Sequence, residues 1–124
     1  MNVEVAPETL RDLITVSLDD GKANDIRVLD VREMTSITDY MVVASGRSSR
    51  QVKALKERVL DTARVHDVRP IGVEGENVGE WVLIDFGDVV VHAMQQETRD
   101  FFQLEKLWDN TAAETNVAEQ TEEA

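Results

Sequence analysis

Asp85, Asp88 and His92 lie close together in the chain and are the residue types of a metal or acid–base site. On two strands joined at Gly87-Asp88, Asp88 falls in the bend and His92 lies several residue rises away. Asp85 and His92 share a face but only on the diagonal, so fewer ligands converge than a metal needs. Turn geometry is the simpler use for those aspartates. His66 lies at a helix C-terminus, where its partial positive charge meets the helix dipole. Ser45-Gly46-Arg47-Ser48-Ser49-Arg50-Gln51 enters a helix and offers backbone donors and two arginines to a phosphate. It lacks the Walker lysine–serine pair, and capping by Ser48 or Ser49 accounts for its serines. No nucleophile elbow is present. These residues predict no catalytic group, no metal and no cofactor.

The hairpin that carries the aspartates is more informative. A two-residue bend pairs Phe86 with Val89, and the rest of the register follows: Asp85 with Val90, Ile84 with Val91, Leu83 with His92, Val82 with Ala93 and Trp81 with Met94. Alternation then divides the hairpin into two faces. Val82, Ile84, Phe86, Val89, Val91 and Ala93 form a wholly apolar one, suited to covering helices. Trp81, Leu83, Asp85, Val90, His92 and Met94 form the other, where an indole and an adaptable thioether sit among polar groups. Tryptophan and methionine suit a binding surface, and Glu74 and its acidic neighbours give that surface a negative rim. The same two side chains also suit a core sealed by the last helix. Glu74-Gly75-Glu76-Asn77 is a polar turn whose acids either face water or meet a basic partner.

The elements that position this hairpin follow from periodicity. Pro7 to Asp20 predicts a helix with a Leu10, Leu13, Ile14, Leu18 stripe, stopped at Gly21. Asp25 to Val31 and Asp39 to Ser45 predict strands, the second buried on both faces. A helix bearing Val52, Leu55, Val59 and Ala63 follows the serines, then a short strand near Ile71 to Glu74. After the hairpin, Thr98 is expected to cap a last helix from Arg99 to Trp108. The order α-β-β-α-β-β-β-α predicts one mixed sheet of about five strands flanked by helices, an α/β (α+β) fold unlike a doubly wound dinucleotide fold.

The chain has 124 residues, room for one domain, here 1–108. Its formal charge is −12, which disfavours a primary nucleic-acid reader and favours a basic protein partner. Five acids and no base fall in 109–124, which is expected to be a disordered acidic tail. Arg50, Lys53, Lys56 and Arg64 form a solvated helix face that can graze RNA peripherally. There is no cysteine, no span for a membrane and no secretory signal at the start, so a cytoplasmic protein is expected.

Taken together, Asp25 to Val31, Ser36-Ile37-Thr38-Asp39-Tyr40, Ser48-Ser49-Arg50-Gln51, Gly72-Val73-Glu74-Gly75, Trp81 through His92 and Leu104-Glu105-Lys106-Leu107-Trp108 resemble the Iojap family, the ribosomal silencing factors. The likeness runs from about Leu10 to Trp108. It implies a nucleotidyltransferase-like fold without catalysis; after Ser45-Gly46 no acid-x-acid pair follows to hold magnesium. It further implies binding to ribosomal protein number fourteen of the large subunit and a steric block to subunit joining when nutrients are scarce. Large-subunit assembly and a weak homodimer are also implied. The family's contact surface maps onto Trp81; the hairpin register extends it to Met94, Leu83, Asp85, Glu74 and His92. The rival expectation is a residual nucleotide-dependent enzyme using Gly46 to Gln51 with Asp85 or Asp88.

Overall fold

The computed structural model describes residues 5–108. Proline at the start of α1 (Pro7–Asp20) has its φ already set for a helix and lacks an N–H that would go unused there. The helix buries Leu10, Ile14 and Leu18. Gly21 follows it without a left-handed backbone (φ −81°); Lys22 takes that role at φ 65°. The Ala23 N–H then donates to the Leu18 carbonyl at 3.0 Å. What Gly21 supplies is room: a Cβ there would fall 2.7 Å from Arg58 Cδ and 2.8 Å from Leu55 Cδ2. The glycine thus lets the second helix pack close to the end of the first.

β1 (Asn24–Asp30) runs antiparallel to β2 (Tyr40–Gly46), with an irregularity between Asn24 and Arg27. β2 is buried over nearly its whole length, as its apolar run predicts. Ser48 caps α2 (Ser49–Val65) by accepting from the Gln51 N–H at 3.1 Å. Val52, Leu55, Val59 and Ala63 form the buried stripe of α2. His66 follows as its C-cap. β3 (Gly72–Glu74), β4 (Trp81–Asp85) and β5 (Val89–Gln95) complete a five-stranded sheet in the order β1-β2-β5-β4-β3. Only the central β2–β5 pairing is parallel.

The hairpin register is the one its bend predicts, from Trp81 opposite Met94 to Asp85 opposite Val90. Gly87 has φ 89°, so a glycine at the first bend position makes the two-residue connection without strain. Val82, Ile84, Val91 and Ala93, with Val42 and Ala44 of β2, pack against the buried stripes of α1 and α2 as the main core.

The end of the domain differs from the sequence expectation. Instead of one helix from Arg99 to Trp108 there are two, α3 (Gln96–Phe102) and α4 (Leu104–Trp108). Thr98 lies inside α3, and Gln95 is the N-cap residue. Gln103 breaks the path with a left-handed φ of 50°, so the chain turns back over the sheet. Leu104 and Trp108 of α4 then pack on Leu29, Val31, Val43 and Met94, a second and smaller core on the sheet's opposite face. The tail 109–124 lies outside the described residues. No helix among those described is long and apolar enough to cross a membrane.

Candidate functional site

The sheet face away from α1 and α2 is covered unevenly. Over β1, β2 and the end of β5 it is closed by α4. Towards β4 and β3 it is open: Leu83, Asp85 and Trp81 are half-buried and Glu74 is exposed. This open part gathers Trp81, Leu83, Asp85 and Glu74, since Glu74 pairs with Leu83 across the β3–β4 ladder.

Two of the expected surface residues are not at the surface. Met94 is fully buried and His92 retains only 3% exposure. The fold-back at Gln103 explains Met94, because it brings Leu104 and Trp108 onto the second core. The open choice between core and surface is therefore decided residue by residue: Met94 is core, and Trp81 lies at the edge of that core with part of its indole exposed.

The indole is held from two sides. Its Nε1–H donates to His92 Nδ1 at 3.0 Å. Across the hairpin these residues are diagonal neighbours, a separation that two long rings can bridge. Phe102 of α3 lies 5.0 Å from the indole in a tilted contact, and Phe101 packs edge-on against Phe102 at 5.0 Å. Phe101 is itself 79% exposed, so the aromatic ladder runs from the sheet out to solvent.

Because His92 Nδ1 accepts a hydrogen bond, the imidazole proton sits on Nε2. Burial pushes the His92 pKa down to about 4, against the opposing pull of the Glu105 carboxylate. A depressed folded-state pKa means that the unfolded chain binds the proton first as pH falls. Stability is therefore fully present above pH 6.5 and falls by about 3 kcal/mol as pH drops through the window down to about 4. Urea titrations of the wild type and His92→Asn at pH 7 and pH 4.5 check this: the wild type is expected to lose more stability than the variant. Equal losses would show that the fold does not lower the His92 pKa.

Beneath α3 lies the residue that sequence inspection missed. Arg99 is 2% exposed. Its Nε donates to Glu105 Oε1 at 2.8 Å, and its Nη1 donates to the Asp25 carbonyl at 2.6 Å and to Ser45 Oγ at 2.9 Å. One guanidinium thus ties α3 and α4 to β1 and β2. No spacing signalled this pair, since residues six apart on one continuous helix do not face each other.

The enzymatic arrangements do not assemble. Asp85 Oδ1 accepts from the Gly87 N–H at 2.8 Å, so this carboxylate serves the bend. His92 faces the indole and not Asp85. Among the described residues no group of three His, Cys, Asp or Glu side chains is placed to hold a metal. In the serine-rich loop the Arg47 N–H donates to Gln51 Oε1 at 2.7 Å and the Gln51 N–H to Ser48, so these amides serve the helix start. On α2, Lys56 bridges Glu57 and Glu76, and Arg64 pairs with Asp61, which leaves a partly neutralised basic face.

Comparison with known proteins agrees with this architecture. Residues 4–124 match the family model described as ribosomal silencing factor during starvation. A ribosomal silencing factor of Zymomonas mobilis is 42% identical over 102 residues, covering 82% of this chain and 77% of the relative. The mouse protein named for mitochondrial assembly of the ribosomal large subunit is 32% identical over 111 residues, or 87% of this chain and 49% of its own length. A crystal structure of a Chromobacterium violaceum protein superposes with a TM-score of 0.82 at 42% identity, covering 84% of this chain and 87% of that one. None of these is named for an enzymatic activity. On sequence and fold alike, the chain belongs to the ribosomal silencing factor family.

Proposed function

We propose that this protein is a non-enzymatic translation repressor of the cytoplasm. It binds ribosomal protein number fourteen of the large subunit and, by standing on that surface, blocks the small subunit from joining when nutrients are scarce. The observation that carries this reading is the partly exposed Trp81 indole, held in a fixed orientation on the open sheet face beside Leu83, Glu74 and Asp85. An aromatic anchor within a polar rim is the usual composition of a binding hot spot. The formal charge of −12 suits a basic partner and speeds encounter with it. Trp81, Leu83, Asp85 and Glu74 make the contact; His92 and Met94 support it from beneath. Arg50 and Lys53 give a peripheral touch to ribosomal RNA, and the exposed Phe101 and Leu107 allow a weak homodimer.

Co-sedimentation with isolated large subunits at low and high salt tests this reading, paired with light scattering of subunit joining. Wild-type protein is expected to pellet with large subunits, to bind less tightly as salt rises and to slow joining. Trp81→Ala is expected to bind about thirtyfold more weakly, near 2 kcal/mol, with its circular dichroism unchanged. Wild-type pelleting by that variant would exclude this contact face. The mouse relative's name favours a second role in large-subunit assembly. Enrichment of the protein on immature large subunits over mature ones would mark that role.

A further inference from the structure

His92 was expected among the contact residues, yet it is buried and cannot touch a partner. What it does touch is the contact residue itself, through the 3.0 Å hydrogen bond from Trp81 Nε1 to its Nδ1. A tryptophan side chain has two rotatable bonds, and an indole free to swing would have to be ordered at the moment of binding. Here Phe102 packs on the ring at 5.0 Å and tilts 50° to it, while His92 takes its only donor. The two constraints come from different elements, α3 and β5.

We infer that His92 is a positioning residue: its Nδ1 fixes the Trp81 indole, before the partner arrives, in the orientation the ribosomal surface meets. The role requires a neutral imidazole with its proton on Nε2, and the buried setting keeps it neutral throughout the physiological range. The charged groups set against His92 are Glu105 of α4 and, bonded to it, Arg99 of α3. The Glu105 carboxylate of the ion pair that holds α3 and α4 in place therefore also acts on the imidazole through its charge. This inference rests on the contact face proposed above.

The test uses the full chain with isolated large subunits and three variants, His92→Leu, His92→Asn and Trp81→Ala. Leucine fills the buried site without an acceptor, and the indole N–H can turn to water, so the fold is retained. His92→Leu is expected to shift the Trp81 indole N–H resonance and weaken binding about tenfold, the equivalent of one net hydrogen bond and the ordering it supplies. His92→Asn offers a carbonyl oxygen in place of Nδ1 and is expected to restore both the resonance and the binding. Wild-type binding by His92→Leu, with Trp81→Ala impaired, would overturn the positioning role and leave the contact face standing. Equal loss in His92→Leu and His92→Asn would also overturn it, since the acceptor would then not be the cause. Wild-type binding by Trp81→Ala would overturn the contact face and the positioning role together.

Discussion

Replacing Arg99 with methionine is expected to cost about 3–5 kcal/mol of folding stability, a large share of what a domain of this size possesses. Methionine keeps the unbranched apolar stem of the arginine but is shorter and carries no donor. The change leaves the Glu105 carboxylate, the Asp25 carbonyl and Ser45 Oγ without the guanidinium they share. Glu105 keeps only 14% of its side chain exposed, so water compensates poorly for the lost cation. Urea denaturation of Arg99→Met measures the loss. The double variant Arg99→Met/Glu105→Leu is expected to recover part of it, because the stranded charge is removed along with its partner. A cost below about 1 kcal/mol for Arg99→Met would show that α3 and α4 are held by apolar contact alone.

The second large effect is expected at Gly75. This residue has φ 80°, a backbone region that strains any side chain. A Cβ built on it would also fall on the Trp81 carbonyl oxygen, at the start of β4. Gly75→Ala therefore combines an unfavourable dihedral with a backbone collision, and about 3 kcal/mol is the expected cost. The damage reaches function as well, since β4 can relieve the collision only by moving the residue that carries the indole. Thermal unfolding and Trp81 fluorescence together check this. An unchanged midpoint with an unchanged emission spectrum would show that the β3–β4 connection simply relaxes.

Much of the sheet was legible because local chemistry determines it. Gly87-Asp88 sets a two-residue bend, and the side-chain period of two then leaves no freedom in the register from Trp81–Met94 to Asp85–Val90. Pro7 and the apolar stripe mark α1 in the same local way, and the doubly apolar run from Met41 to Ala44 announced a strand covered on both faces. The break at Gln103 was not legible. A glutamine in the left-handed region lacks the glycine that ordinarily marks such a stop. From that one residue the other differences follow: α4 folds back, Met94 becomes core, and Arg99 is buried with Glu105. The register makes Trp81 and His92 diagonal neighbours, but whether their rings bond depended on how deeply the imidazole would lie. Depth is set by tertiary packing and not by strand alternation.

The parallel pairing of β2 with β5 has a consequence for how the protein is made. Tyr40 aligns with Val89, so the two middle strands cannot join until a loop of about 50 residues has closed between them. Contacts so distant in sequence slow folding compared with a helical domain of equal stability. A nascent chain emerging from the exit tunnel therefore holds α1, β1 and β2 with their apolar surfaces waiting, and the sheet's middle is sealed only after Gln95 has cleared the tunnel.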